Sequence, residues 1–130
     1  MNNKNNIDKM IDSLSKSKFR GSFHLNKKMK DYAKEKGTKE IEKHAYDFIN
    51  KRLKPESIPN DGKQTPMKQV HPVFIAQHAC GFCCRSCLER IHKVSKNREL
   101  TDKEVSYIVN FIMTWISKEL KNKHLSQIKK

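Results

Sequence analysis

Apolar residues recur at spacings of three and four along most of this chain, which is the period of an amphipathic helix. The clearest helical segment follows Thr101, which forms the Thr-x-x-Glu pattern of a capping box with Glu104. Its apolar side chains fall on one continuous face, made of Val105, Ile108, Phe111, Ile112, Trp115, Ile116 and Leu120. We expect this segment to form the central core helix.

Three further helices are predicted on the N-terminal side of the chain. The first covers about residues 6–15, and the second ends at Gly37. The third begins with Thr38 as its cap and stops at Pro55. No segment shows the period-two alternation that is typical of half-buried strands.

The middle of the chain is predicted to contain a long loop. Residues 55–67 hold three prolines and the turn sequence Asn-Asp-Gly. Pro72 is expected to start a short helix over 72–79, which ends at Gly81, and residues 84–94 have a helical pattern again. A compact domain that retains a long loop often uses it for function.

These patterns predict an all-α protein. We expect a compact bundle of four to five helices with a long loop that contains Pro and Gly, and with a site built from Cys and His. The expected organisation is a partly flexible N-terminal helix over 1–16, a single helical domain over 17–122 and a basic tail over 123–130.

The charge of the chain favours a polyanionic partner such as nucleic acid. The net charge is +14, and basic residues number 28 against 14 acidic ones. Only five of the basic residues are Arg, the better reader of bases and phosphates, so a merely solvated Lys-rich surface is the alternative. Basic segments flank a nearly neutral stretch, residues 56–92, which carries four basic and three acidic side chains.

A reducing, cytoplasmic location is expected. No apolar run is long enough to span a bilayer, and the N-terminus lacks the apolar core of a secretory signal. We therefore expect no membrane association, while the oligomeric state stays open. In a reducing compartment, four clustered cysteines indicate metal binding or catalysis before disulfides.

All four cysteines and three of the six histidines lie in one stretch of 22 residues, HPVFIAQHACGFCCRSCLERIH at 71–92. Cys84 and Cys87 have the two-residue spacing by which a turn presents two thiolates to one zinc ion, and His92 follows five residues later. A fourth ligand must come from elsewhere, and the residues considered for it are His78, His71, Cys83 and His44.

Three alternatives to a zinc site remain open. An iron–sulfur cluster needs about four thiolates, and the chain has that number within eight residues. Thiol chemistry is the second, since a Cys at a helix N-terminus beside Arg85 would ionise easily, with His78 as a base. The third is that the cysteines simply pack as small apolar side chains in the core.

The stretches NDGKQTPM, HPVFIAQHA and CCRSCLERIH, followed by a C-terminal helix rich in Ile and Trp, resemble an uncharacterised bacterial and phage family, domain of unknown function 4186. The resemblance runs from about Ser17 to Trp115 and brings no activity with it. It implies that Cys80 is an extra thiol. It also implies a ligand set of Cys84, Cys87 and His92, with His78 or Cys83 as the fourth. The chain departs from the pattern at Ile91 and at residues 93–95.

Polar residues around the cluster suggest further chemistry. Asp61, Lys63 and Gln77 are candidate catalytic residues if one coordination position of the metal stays open. Lys63, Arg85 and Arg52 are candidates for holding a phosphate or another anion. A plain turn with a solvated lysine is the alternative interpretation of the Asp61–Lys63 region.

The sequence therefore favours a small zinc-binding protein of basic charge that contacts nucleic acid. One alternative is a small metal-dependent hydrolase acting on phosphate esters or nucleic acid. The other is a regulator of a phage or mobile element that binds a host protein.

Overall fold

The structure, a computed structural model, describes residues 3–121, with side chains from residue 6 onward. Helices account for all of the regular secondary structure in this range, which confirms the predicted all-α class. The six α-helices are α1 (Asn3–Ser15), α2 (Lys27–Lys36), α3 (Thr38–Arg52), α4 (Pro72–Cys80), α5 (Arg85–His92) and α6 (Asp102–Lys121). The predicted basic tail at 123–130 lies outside the described residues.

Local sequence signals explain most helix ends. The capping box of α6 is confirmed, because the Glu104 amide donates to Thr101 Oγ1 at 3.1 Å and the Thr101 amide donates to Glu104 Oε1 at 2.9 Å. The predicted Thr38 cap of α3 is wrong. Gly37 occupies the capping position with φ of 88°, and Thr38 is the first residue of the helix.

Helix α6 lies at the centre of the fold, in contact with α1, α2, α3 and α4. Its inner face is almost completely buried, in agreement with the stripe that its sequence predicts. Burial of this continuous apolar face is the main force that gathers the other helices around it. In the described part of the chain, no helix is long and apolar enough to cross a membrane.

Helix α4 is buried on every side, along its whole length. A helix in that position has no solvent face, so its polar side chains Gln77 and His78 must find partners inside the protein. Gly81 ends the helix in a left-handed conformation with φ of 82°. L side chains rarely adopt this φ, and a Cβ atom there would also lie 2.7 Å from Ile91 Cδ1, so glycine is strongly favoured at this reversal. The reversal separates α4 from α5.

Candidate metal centre

Three cysteine sulfurs meet where α4 leads into α5. The Sγ atoms of Cys83, Cys84 and Cys87 all lie within 4.8 Å of one another. Within the range that the structure describes, this is the one group of three or more Cys, His, Asp or Glu side chains close enough to share a metal ion. The sequence prediction of a clustered thiol site is therefore met by Cys83, Cys84 and Cys87, and the cluster is compatible with metal binding.

The start of α5 fixes the geometry of these thiols. Cys84 has an extended backbone and is the N-cap residue of α5, where its Sγ accepts from the Cys87 amide at 3.4 Å. Cys87 then lies one helical turn further, on the same side as its capping partner. Cys83 directly precedes the cap, and its carbonyl oxygen accepts from the Thr65 hydroxyl at 2.8 Å. Two sequence neighbours and one residue a turn away thus point their sulfurs at one place.

Arg20 adds a guanidinium group to the cluster. It follows α1 in the chain and is only 7% exposed. Its Nη2 donates to Cys87 Sγ at 3.2 Å, and its Nη1 donates to Cys83 Sγ at 3.5 Å and to the His78 carbonyl oxygen at 2.7 Å. The guanidinium therefore bridges the end of α4 and two of the three sulfurs.

The four thiols ionise with different ease. Burial raises the pKa of Cys83, brings that of Cys84 to about 12, and raises the pKa of the completely buried Cys80 well above its usual value. Burial also opposes ionisation of Cys87, but hydrogen bonds from Arg20 and the neighbouring thiols outweigh it and lower the pKa of Cys87. Cys87 is also the least buried of the four, so it is the most available thiolate.

His78 carries a buried nitrogen without a partner. Its Nε2 lies 3.0 Å from the Thr65 carbonyl oxygen, and its ring stacks on Phe23 at 5.2 Å. Because a carbonyl only accepts, Nε2 holds the proton and Nδ1 keeps a free lone pair. That Nδ1 atom is buried with no hydrogen-bond partner. Burial is the main cause that lowers the pKa of His78, which keeps the ring neutral and suited to bind a metal.

His92 lies apart from the three-sulfur group, in an aromatic cluster. Its Nε2 donates to the Cys80 carbonyl oxygen at 2.7 Å, which leaves Nδ1 to accept from the Tyr107 hydroxyl at 3.5 Å. Its ring stacks on Phe82 at 4.2 Å. Both ring nitrogens of His92 therefore have partners within the protein. To act as the predicted metal ligand, His92 would have to lose one of these two hydrogen bonds.

Cys80 also lies outside the group. It is completely buried and lines a cavity of about 170 Å³ between α1, α4 and α6, together with Arg20, Trp115 and Glu119. This placement agrees with the expectation that Cys80 is an extra thiol outside the ligand set.

The predicted catalytic residues mostly hold the loop in place. Asp61 accepts from the Arg85 amide at 2.9 Å and from the Ser86 amide at 3.2 Å, so it caps the first turn of α5. Gln77 donates from Nε2 to the Phe82 carbonyl oxygen at 3.0 Å, while its buried Oε1 has no partner. Lys63 is exposed. The structure brings none of the three into the sulfur group.

The guanidinium groups of the predicted anion-binding residues also have partners within the protein. Arg85 is 4% exposed and donates to four backbone carbonyl oxygens. Arg52 donates to the Gln64 carbonyl oxygen at 3.3 Å and lies over the rings of Phe48 and Phe74. Anion binding by either residue would have to compete with these contacts.

Sequence reasoning assigned no contact with the cysteines to Arg20 or Thr65, which reach Cys83 and Cys87 or the Cys83 carbonyl oxygen from elsewhere in the chain. Arg20 lies 63 and 67 positions away from its sulfur partners, and Thr65 lies 18 positions from Cys83. The available signal was an arginine between two phenylalanines in an otherwise polar connector, KFRGSF. Its partners could not be read from that pattern, because only the tertiary fold brings them together.

Comparison with known proteins places the chain in a family without an assigned activity. No solved structure matches the chain. A family model, Domain of unknown function (DUF4186), matches residues 8–117, which include every helix from α2 to α5, the three-sulfur group and Arg20. The match covers most of the chain, and the protein therefore belongs to the DUF4186 family.

Proposed function

We propose that this protein binds one zinc ion through the thiolates of Cys83, Cys84 and Cys87, on a basic helical domain of the cytoplasm that contacts nucleic acid. The observation that carries the metal proposal is the mutual approach of the three sulfurs to within 4.8 Å. Tetrahedral zinc with bonds of about 2.3 Å separates two sulfur ligands by about 3.8 Å. The side chains would have to move little to reach that spacing.

His78 is the fourth ligand in this proposal, through Nδ1. A buried imidazole nitrogen with a free lone pair is costly to leave without a partner, and a metal would supply one. The Nη1 atom of Arg20 contacts both the His78 carbonyl oxygen and Cys83 Sγ, so the backbone of this histidine lies beside the sulfur group. Its ring nitrogens are not among the donors that lie within 4.8 Å of one another, so the ring would have to move to bind the ion. His92 is the second choice, because its ring nitrogens already have partners.

A single ion fits the sulfur arrangement better than an iron–sulfur cluster does. A cluster is held by cysteines on different iron atoms and generally uses four of them. Here three sulfurs share one small space, and Cys80, the fourth thiol, faces a separate cavity. The spacing supports one mononuclear site, and thiolate with imidazole is a donor set that zinc prefers.

The charge of the surface supports contact with nucleic acid. The exposed lysines of α2 and α3 include Lys27, Lys28, Lys34, Lys36, Lys39, Lys43 and Lys51. Compact ammonium groups spread over two adjacent helices suit the phosphate backbone without base specificity. In this proposal the metal stabilises the domain and the lysines bind the polyanion.

Zinc titration of the metal-free protein tests the site. The wild-type chain should bind one equivalent, and Cys87→Ser should abolish binding and lower the free energy of unfolding by several kcal/mol, because metal binding and folding are linked. Cys80→Ser is the matched control: the same exchange outside the sulfur group should leave the zinc stoichiometry intact. An unchanged zinc content in Cys87→Ser would refute the site.

A metal-dependent hydrolase acting on phosphate esters or nucleic acid is the second candidate. It is favoured by one observation: the group of donors consists of three cysteines, and no fourth residue of the described chain joins them. A zinc ion with three protein ligands would hold a water that is acidic enough to act as a nucleophile near neutral pH. This reading predicts that His78→Ala keeps its zinc and hydrolyses a phosphodiester; loss of zinc in that variant favours the closed site.

A further inference from the structure

Arg20 brings a positive charge into the protein beside the three sulfurs. The residue is 7% exposed, and none of the ion pairs found within 4.0 Å among the described residues joins it to a carboxylate. A buried charge without a counter-charge is strongly unfavourable. The groups that can supply that negative charge are the sulfurs to which the guanidinium donates, those of Cys83 and Cys87.

The guanidinium contacts the sulfurs in a way that leaves them able to bind an ion. Arginine only donates hydrogen bonds, so it does not occupy a coordination position of a metal. Two of its nitrogens each contact a different sulfur, at 3.2 and 3.5 Å, and Nη1 is anchored as well on the His78 carbonyl oxygen at 2.7 Å. Arg20 therefore has a fixed place beside the site, and its charge acts on whichever ion the sulfurs hold.

The formal charges then discriminate between ions. Three thiolates and a divalent ion leave one net negative charge, which the guanidinium cancels. A trivalent ion would neutralise the thiolates by itself and leave the buried guanidinium without a counter-charge. A fourth anionic ligand on a divalent ion would leave a buried negative charge. With a neutral fourth ligand, such as an imidazole, a divalent ion makes the whole site neutral and a trivalent ion does not.

We propose that Arg20 is the specificity-determining residue of this site and makes it select a divalent, thiophilic ion with a neutral fourth ligand over a trivalent one. The inference rests on the proposed metal function and adds the basis of its selectivity. Arg20 is a positioning residue, since it acts on the ion through the sulfurs.

Arg90 provides a matched control for the charge. Its Nη2 also donates to Cys87 Sγ, at 3.6 Å, but the residue is exposed. Water screens a charge in that position, so its removal should alter the zinc affinity by less than about fivefold. Arg90→Gln and Arg20→Gln thus remove the same charge from the same sulfur partner, in one case at the surface and in the other inside the protein.

The test measures zinc and arsenite affinities on the same proteins: wild type, Arg20→Gln, Arg20→Lys and Arg90→Gln. Arsenite, As(OH)3, reacts with three thiols to form three As–S bonds and release three waters, without any change in oxidation state. Arg20→Gln should lose about 10- to 100-fold in zinc affinity, while arsenite binding stays equal or becomes tighter. The ratio of zinc affinity to arsenite affinity should therefore fall by at least the factor that zinc affinity loses.

Arg20→Lys keeps the charge and should keep the wild-type ratio, even if both affinities decline. Far-UV circular dichroism of the metal-free variants shows whether each one folds. If Arg20→Gln does not fold, the ratio of zinc affinity to arsenite affinity in Arg20→Lys is the deciding measurement. Equal losses of zinc and arsenite binding in Arg20→Gln would mean a merely structural role and would overturn the inference. A wild-type protein that binds no zinc would overturn the proposed function itself.

Discussion

Arg85 ties two other segments of the chain to helix α5. Its guanidinium donates to the carbonyl oxygens of Leu53 and Pro55 at 3.1 Å, of Ser95 at 2.8 Å and of Arg98 at 2.9 Å. Burial is the largest cause that lowers the pKa of this guanidinium, which shows how far the group has left water. The end of α3 and the connection from α5 to α6 meet on this side chain.

Replacing Arg85 should therefore destabilise the fold strongly. Arg85→Met keeps the length and apolar stem of the side chain but leaves four carbonyl oxygens without their donor, and we expect a loss of about 3 kcal/mol in the free energy of unfolding. Arg52→Met is the control, because Arg52 is half-buried and donates to one carbonyl oxygen, and it should lose about 1 kcal/mol. Urea denaturation measures both. Equal losses in the two variants would contradict the role given to Arg85.

At the scale of the element, helix α4 depends on a histidine at its start. The Nδ1 atom of His71 accepts from the Val73 amide at 3.1 Å, so Nε2 carries the proton and donates to His44 Nδ1 at 2.9 Å. His44 in turn donates from Nε2 to Glu40 at 3.1 Å. The cap of α4 thus requires a neutral His71. In this series of hydrogen bonds, the partners of His71 and His44 fix the tautomer of each ring.

Acid should weaken this cap. Burial, and then the neighbouring His44, lower the pKa of His71 from 6.5 to about 4. The unfolded chain binds a proton at this residue below pH 6.5 while the folded protein resists it, so the free energy of unfolding should decrease as the pH falls from 6.5 to about 4. His71→Asn keeps a capping side chain and does not titrate, so its stability should decline less over this window. Thermal melts measure both proteins, and parallel declines would contradict the assignment.

The helices of this fold could be predicted because their signals are local. Pro72, Gly81 and the Thr101–Glu104 capping box lie within a few residues of the helix ends that they set, and the apolar stripe of α6 needs no partner to be recognised. The described part of the chain has six α-helices where four to five were expected, and all six lie on segments whose sequence pattern already predicted a helix. The cap of α3 was missed because Gly and Thr adjoin there, and either can precede a helix.

The candidate site was predictable only in part, because its cysteine spacing is a local signal and its other contacts are long-range. Adjacent cysteines and a Cys-x-x-Cys spacing are visible in the sequence, and they identify the sulfur group. The roles of Arg85 and Asp61 depend on contacts across 10 to 32 residues, and neither could be inferred from residue type alone. A charged residue near a cysteine cluster suggests chemistry, whereas the structure shows these two holding the loop and the helix ends together.

At the scale of the whole molecule, the excess of positive charge governs the expected partner. With a net charge of +14 and lysines exposed along α2 and α3, binding to DNA or RNA should depend on the release of counter-ions. We expect the affinity for a short duplex to fall steeply and log-linearly with salt concentration. Fluorescence anisotropy at several ionic strengths measures the slope. Tight binding that persists unchanged at high salt would contradict an interaction driven by lysine.

Metal content links the sulfur group, the buried arginine and the free histidine nitrogen, so it is the property to measure first. The protein should be purified without a metal-affinity column, then analysed for its elements beside a visible absorption spectrum. We predict one zinc per chain and a colourless solution, because three thiolates, with the His78 imidazole as the proposed fourth ligand, form a donor set that zinc prefers. Iron with a brown absorbance, or a folded protein without any metal, would contradict the account.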